Sequence, residues 1–257
     1  MALYMKQAST RERALPMSNA EWDARVQLAA AYRIFDHLGW TEMIFNHISL
    51  RVPGDERIFL INPFGLHYSE VKASNLVAID IDGNPVRETL WPVNRAGFVP
   101  HSTLHANIED AHCVMHTHTT SGLAVACLER GLAHDSFYGA QLYGQVAYHE
   151  FEGVTVNPGE GARMLASIGD KRAVILRNHG LLAWAPTLPE AFMTLWTLQR
   201  ACDVQVAAAS LGPLNPIRPS VFEQTARDRG TGEKQVYDML FASLVRAIEA
   251  RDPGYKT

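Results

Sequence analysis

Cysteine and long apolar stretches are both scarce in this sequence, and their scarcity excludes two classes of protein. Only Cys113, Cys127 and Cys202 occur among the 257 residues, an odd and scattered set that lies in apolar elements. Such a set excludes a disulfide framework and predicts reduced core thiols in a cytoplasmic protein. No apolar run approaches the roughly 20 residues of a transmembrane helix, and no secretory apolar segment is evident near the N-terminus.

Basic runs are missing as well. The formal net charge is −4, charged residues make up 19% of the chain, and no cluster of lysine and arginine stands out. We therefore expect neither nucleic acid nor a membrane as a partner. The 47% of hydrophobic residues is typical of a globular chain. We predict one domain over residues 18–257, preceded by a polar segment at residues 1–17. This segment is either a flexible tail or an arm on a neighbouring subunit.

The most informative segment is residues 111–126, AHCVMHTHTTSGLAVA. It predicts a buried strand, a polar turn and then a helix. Because strand side chains alternate between faces, Val114, His116 and His118 project together, while Cys113 and Met115 project to the other side. Two neutral imidazoles on one face can bind one metal ion. The alternative is a pair of buried structural histidines.

A second polar interruption occurs far along the chain. The apolar run Ala173–Leu176 is followed by Arg177-Asn178-His179-Gly180, and an apolar run then resumes at residues 181–184. A tight turn with an unusual backbone angle accounts for Gly180 alone. It does not account for His179, because buried polar groups need partners. Together with His116 and His118, it predicts a three-ligand metal site with an open position.

The two histidine motifs resemble those of the class II aldolase/adducin family. Three further segments match the family, namely residues 45–51 (FNHISLR), 60–65 (LINPFG) and 146–148 (VAY). The resemblance extends from about residue 21 to about residue 249. The family includes sugar-phosphate aldolases, an epimerase, decarboxylases, some iron oxygenases and the non-catalytic adducin domains, so the motifs do not identify one reaction.

The resemblance implies a fold, a cofactor and an assembly. The fold is an α/β single-domain sandwich with a central, mainly antiparallel sheet flanked by helices. The cofactor is one divalent metal ion per subunit, held by His116, His118 and His179. Zinc is favoured, and manganese, cobalt and iron remain open. The assembly is a homotetramer that acts on a small-molecule substrate in the cytoplasm.

Asn46, Phe64 and Gly65 are the substrate-binding residues that the resemblance implies. In the family's sugar-phosphate aldolases, loops at these positions cradle the substrate phosphate with small hydroxyl residues and a glycine. Here Phe64 stands at the place of a threonine, and a phenyl ring offers a phosphate no donor. We therefore expect a non-phosphorylated substrate with an apolar or aromatic part near Phe64. The alternative is that Phe64 only packs.

Gly97 is the clearest departure from the family pattern. In the aldolases this position carries a glutamate that binds the metal and transfers protons, and here no acidic residue lies between positions 91 and 108. Either His101 or His105 replaces the glutamate, or the reaction differs. Imidazole titrates near neutrality and suits proton transfer. The alternative is that His101 caps a short helix.

Tyr148 is the second catalytic candidate. The family's aldolases place a tyrosine here that reaches across a subunit interface and protonates the leaving carbanion. A phenol can donate a proton when the metal site is close. The alternative is a strand tyrosine with its hydroxyl in solvent.

Three functional hypotheses follow. The first is a divalent-metal-dependent carbon–carbon lyase, and Gly97 and Phe64 favour a decarboxylase slightly over an aldolase. The second is a non-haem iron oxygenase, because three histidines with open positions also suit Fe(II). The third is an adducin-like binding module without catalysis, which the complete histidine set disfavours.

Local signals also predict the main helices. Capping boxes at Ser18 and Thr187 begin two long helices, and glycine or proline ends most segments. The predicted helices are residues 18–38, 102–108, 121–130, 157–169, 187–210 and 234–249. We predict a loop or partner-facing segment at residues 214–229.

Overall fold

A seven-stranded sheet separates two layers of helices. The computed structural model describes residues 17–153, 159–228 and 233–257. The sheet order is β3-β2-β1-β4-β7-β6-β5, and every neighbouring pair is antiparallel except β5 with β6. The strands are β1 (His47–Arg51), β2 (Ile58–Ile61), β3 (Val77–Asp80), β4 (Cys113–Thr117), β5 (Val146–His149), β6 (Ala173–Leu176) and β7 (Gly180–Ala185). The predicted single-domain, mainly antiparallel α/β sandwich is confirmed.

Eight α-helices surround the sheet in the described part of the chain. They are α1 (Asn19–Leu38), α2 (Arg95–Asn107), α3 (Thr120–Ala126), α4 (Phe137–Gln141), α5 (Glu160–Ile168), α6 (Leu188–Ala209), α7 (Pro219–Asp228) and α8 (Glu233–Glu249).

The two faces of the sheet bury different sets of side chains. On one face, the alternate residues Cys113 and Met115 of β4 pack with the apolar sides of α1 and α6. On the other face, Val114 packs with residues of α2 and α5, such as Leu104 and Met164. This alternation is the one predicted for β4. It directs His116 to the face that α2 covers, because His116 follows Val114 at a spacing of two.

Local capping accounts for the helices that were predicted best. The Ser18 hydroxyl accepts from the backbone N–H of Glu21 and begins α1, and Gly39, with φ 71°, ends it in the left-handed conformation. Thr187 caps α6 in the same way, through the backbone N–H of Glu190.

Two helix predictions were wrong in their extent, and one segment without a predicted helix contains one. Helix α2 begins at Arg95 rather than at residue 102 and runs through Pro100, so a residue that usually breaks helices is tolerated in its second turn. Helix α3 ends at Ala126, four residues earlier than predicted. The segment at residues 214–229 is not only a loop, because residues 219–228 form α7.

Several other predictions fall partly outside the described residues. The expected tail at residues 1–17 lies there except for Met17, and so do Asn157 and Pro158, the predicted start of α5. Cys113 and Cys202 are buried free thiols as predicted, whereas Cys127 is exposed. In the described ranges, no helix is both long and apolar enough to cross a membrane.

Candidate metal centre

The end of β4 and the turn before β7 bring His116, His118 and His179 together. One ring nitrogen from each lies within 4.8 Å of those of the other two. The Nε2 atoms of His116 and His118 are 2.8 Å apart, and the three ring centroids are separated by 4.6–4.9 Å. His116 is buried, while His118 and His179 are partly exposed. The three histidines predicted as ligands therefore form one cluster, the histidine triad.

Gly180 allows this approach, but by a different mechanism from the predicted one. Its φ is not positive, and the left-handed conformation falls on Asn178, with φ 56°. A Cβ atom at position 180 would lie 2.3 Å from the backbone oxygen of Thr117 and 3.0 Å from the His118 ring. Glycine is needed because β7 passes very close to the end of β4. This contact aligns His179 with the other two rings.

The triad is neutral, and the tautomer of His116 is fixed. His116 Nδ1 donates to the Leu181 carbonyl over 2.9 Å, so its Nε2 carries the lone pair. Burial, together with the neighbouring rings of His179 and His118, lowers the pKa of His116 well below its usual range. Burial also lowers the pKa of His118 and of His179 to about 4. Near neutral pH all three rings are in the form that binds metal.

The donor set fits a divalent metal. Three imidazole nitrogens are a ligand set of catalytic zinc sites. Without a cation, the close approach of the His116 and His118 Nε2 atoms sets nitrogen lone pairs against each other unless a proton lies between them. A cation shared by the three rings relieves that repulsion. His116, His118 and His179 would be the residues that hold it.

His47 fills the space that opens opposite Gly97. A Cβ atom at position 97 would lie 1.9 Å from His47 Nε2. His47 is buried, and its Nδ1 and Nε2 lie 3.2 Å from Asn62 Oδ1 and Asn94 Nδ2, respectively. Because His47 is the register partner of His116, a histidine ring stands beside the triad where a side chain at position 97 would begin.

His101 and His105 lie on the inner face of α2 and not at its cap. Both contact the Ser49 hydroxyl, with His101 Nδ1 at 2.6 Å and His105 Nε2 at 2.8 Å from Oγ. All three side chains are at most 3% exposed. The helix-cap alternative for His101 is therefore wrong, because the residue is the seventh of α2.

The predicted substrate-binding residues lie just before β1 and in the loop after β2. Asn46 immediately precedes β1, has φ 68° and is 2% exposed. Neither polar atom of its side chain has a hydrogen-bond partner among the described residues. Phe64 is partly buried and its ring lies 6.4 Å from that of Phe45. Gly65 is exposed, and its φ of 106° requires glycine.

Tyr148 does not meet the triad within the chain. It alternates with Ala147 on β5 and packs on the face that α1 and α6 cover. Its hydroxyl accepts from the Leu132 backbone N–H over 3.0 Å, and the Arg177 guanidinium lies 4.3 Å from its ring centroid. Arg177 therefore packs against the ring of Tyr148. A role for Tyr148 across a subunit interface stays a prediction.

Sequence reasoning missed His149 and Glu160. The two residues line a small cleft that also includes His179. His149 Nε2 lies 3.7 Å from Glu160 Oε1, and each residue is 4% exposed. Burial and the negative charge of Glu152 raise the pKa of Glu160. The strand position of His149 gives no signal of this contact, which depends on how α5 packs on β5.

Comparison with known proteins identifies the family. The model of the class II aldolase and adducin N-terminal domain matches residues 26–206. A crystal structure of an aldolase II superfamily protein from Pseudomonas syringae is 40% identical, with a TM-score of 0.89 over 94% of this chain and 98% of that one. An L-fuculose 1-phosphate aldolase from Glaciozyma antarctica is 26% identical, with a TM-score of 0.81 over 95% and 98%.

The chain is also similar to adducins. Alpha-adducin of Rattus norvegicus is 39% identical over 249 residues, which cover 91% of this chain but 34% of the adducin. The chain therefore belongs to the class II aldolase and adducin family. The family contains metal-dependent lyases and also adducins that are not enzymes.

Proposed function

We propose that this protein is a divalent-metal-dependent carbon–carbon lyase acting on a small, non-phosphorylated carbonyl compound or aromatic acid. The triad carries the proposal, because three neutral imidazoles from two strand ends converge beside a cleft. A site with three protein ligands leaves a position open for substrate. A bound divalent ion would supply Lewis-acid polarisation of a carbonyl or carboxylate oxygen at that position.

Zinc is the metal we propose, because three neutral imidazoles are a ligand set of catalytic zinc sites. Manganese, cobalt and iron are the other candidates. We further propose a homotetramer located in the cytoplasm, as the family resemblance implies. The tetramer would let Tyr148 act in a neighbouring subunit, since in its own chain Tyr148 packs on the sheet face that α1 and α6 cover.

The remaining candidate residues have roles that their environments support. His101 would move a proton at Nε2, an atom that has no hydrogen-bond partner among the described side chains. The unpaired amide of Asn46 would bind a polar oxygen of the substrate, since a buried amide without partners is costly. Phe64 would pack against an apolar part, and Gly65 would keep the loop in its left-handed turn.

The test is reconstitution followed by a reaction screen. Metal-free protein is loaded separately with zinc, manganese, cobalt or iron(II) and assayed for carbon dioxide or aldehyde release from non-phosphorylated substrates. The proposal expects release that depends on the ion and is absent in His118→Ala. Consumption of dioxygen coupled to substrate loss by the iron form alone would instead support an oxygenase, and turnover by metal-free protein would contradict the proposal.

The similarity to alpha-adducin favours a second candidate, a binding module without catalysis. The complete triad argues against it, since a binding module has no need of three converging imidazoles. The two candidates differ in one measurement. If the purified protein binds no divalent ion at a pH where imidazole is neutral, the binding module is the better account.

A further inference from the structure

A row of hydrogen bonds connects β1, α2 and the loop before β4 beside the triad. His105 Nδ1 lies 2.7 Å from the Ala111 carbonyl oxygen. His105 Nε2 is 2.8 Å from the Ser49 hydroxyl, which is in turn 2.6 Å from His101 Nδ1. The row is closed to water, because all three side chains are buried.

The chemistry of the groups assigns every proton in this row. A carbonyl only accepts, so His105 carries its proton on Nδ1 and its Nε2 accepts. The Ser49 hydroxyl has one hydrogen, which it donates to His105 Nε2. It must therefore accept from His101 Nδ1–H. Burial lowers the pKa of His105 to about 3 and that of His101 well below its usual range, so both rings are neutral near pH 7.

One consequence is an unprotonated nitrogen at the end of the row. A neutral imidazole with its proton on Nδ1 has a lone pair on Nε2. His101 Nε2 is buried and has no hydrogen-bond partner in the described ranges. Native structures rarely leave such an atom unpaired without a functional reason.

The direction of the row points towards the triad. Gly97, His101 and His105 are spaced by four on α2 and so share one helix face. On β1, His47 and Ser49 are spaced by two and lie opposite that face. The His101 ring centroid is 6.0 Å from that of His47, and His47 pairs with His116. His101 therefore stands one ring away from the triad.

We propose that Ser49 and His105 are positioning residues that hold His101 in the tautomer with an unprotonated Nε2, which makes His101 the proton acceptor of the enzyme. The inference rests on the proposed lyase function and names the group that replaces the missing glutamate. Ser49 and His105 act through His101 and contact no substrate themselves.

The tautomer also selects between the two lyase reactions. In aldol cleavage, Nε2 takes the proton of the substrate hydroxyl, a carbonyl forms on that carbon, and the electron pair of the carbon–carbon bond leaves with the other fragment. That fragment takes up the proton that His101 Nε2 received, which returns the ring to its neutral form. Decarboxylation removes no proton from the substrate and so needs no acceptor, which would leave the unprotonated Nε2 without a role. The inferred reaction is therefore of the aldol type, contrary to the slight preference for a decarboxylase.

The test is the tautomer itself. Zinc-loaded protein labelled with ¹⁵N only at histidine is studied by solid-state NMR, in which protonated and unprotonated ring nitrogens have distinct shifts. The His101 signals are assigned by their loss in His101→Gln. We expect a protonated Nδ1 and an unprotonated Nε2. A proton on Nε2 of His101 in the unsubstituted protein would overturn the inference.

Substitutions at Ser49 separate positioning from simple packing. Ser49→Ala removes the acceptor of Nδ1–H, so the Nε2–H tautomer should appear and kcat should fall about 10- to 100-fold with KM unchanged, the size of an outer-partner effect. Ser49→Thr keeps the hydroxyl and should restore both. Ser102→Ala is the control, because its hydroxyl bonds the Val99 carbonyl on the same helix. A His101 tautomer in Ser49→Ala like that of the unsubstituted protein would contradict the role of Ser49.

Failure of this inference differs from failure of the lyase proposal. A protein that binds zinc and cleaves substrate, but carries the proton of His101 on Nε2, loses only this inference. A protein that binds no divalent ion loses the lyase proposal, and the tautomer would then lack a catalytic purpose.

Discussion

The triad and the buried row of Ser49, His101 and His105 both contain histidine rings. The two groups differ in what the ring nitrogens contact and in how exposed the rings are. In the triad, the ring nitrogens of His116 and His118 face each other at 2.8 Å and two of the three rings are partly exposed. In the row, ring nitrogens face a hydroxyl or a carbonyl, and the side chains are at most 3% exposed. Ring nitrogens that converge on one point indicate metal ligands, whereas an ordered sequence of donors and acceptors indicates fixed protons.

The largest expected effect comes from removing one ligand of the triad. His118→Ala should abolish turnover of any substrate identified in the screen while the fold survives, since His118 is partly exposed and its loss leaves no large cavity. Steady-state kinetics and circular dichroism measure the two properties. His112→Ala is the control, because His112 precedes the same strand outside the triad. Equal loss of activity in His118→Ala and His112→Ala would contradict a specific role for the triad.

Removing the proton acceptor should have a smaller effect. His101→Gln should lower kcat by about 10²- to 10⁴-fold, the contribution of general acid–base catalysis. The bound metal should stay at the level of the unsubstituted protein, because His101 is not a ligand. Kinetics and elemental analysis on the same preparation measure both. A loss of metal in this variant would place His101 in the triad and contradict the comparison.

Restoring the family's glutamate should cost stability. In Gly97→Glu, the new Cβ would lie 1.9 Å from His47 Nε2, so the His47 ring must leave its contacts with Asn62 and Asn94. We expect the free energy of unfolding to fall by about 1–3 kcal/mol, as for other overpacked sites. Urea denaturation measures it. Adding His47→Ala vacates the space and should recover part of the loss, and a Gly97→Glu protein of unchanged stability would show that the space is free.

The last expected effect is a pH dependence of stability from His105. Burial lowers its pKa to about 3, whereas an unfolded histidine titrates near about 6.5. The unfolded state therefore binds one more proton between these values. The stabilisation is complete above about pH 6.5 and falls by about 1.4 kcal/mol per pH unit below it.

His105→Gln tests that slope. The variant cannot titrate at this position, so its free energy of unfolding should change less between about pH 6.5 and about pH 4.5. The slope with pH should be smaller by the contribution of one bound proton. Urea midpoints at several pH values measure the difference. Only the slopes are compared, since the substitution also changes packing. Identical slopes would mean that His105 is not buried as a neutral ring.

Local signals predicted the fold where the physical cause is local. Ser18, Gly39 and Thr187 cap their own helices, so α1 and α6 were found with their correct ends. Helix α2 was found too short because Gly97 and Pro100 both disfavour helix on local grounds. Gly97 is there for a tertiary reason, the room it leaves for His47.

The residues of the candidate site were likewise predicted only where the signal is local in the sequence. His116, His118 and His179 were predicted because strand alternation and the break before β7 are visible in the sequence. The link between Ser49 and His101 was not, because a contact between residues 52 positions apart depends on how α2 lies on β1. The spacing of four between His101 and His105 was the one available signal that they share a helix face.

The most direct test of the central claim, that the triad is a divalent-metal centre, is the metal content of protein purified anaerobically without chelators. We expect about one divalent ion per chain in the unsubstituted protein, as for a three-histidine site. The ion should be lost in His179→Ala and retained in His101→Gln. No ion in the unsubstituted protein, or the same ion content in His179→Ala, would contradict the account.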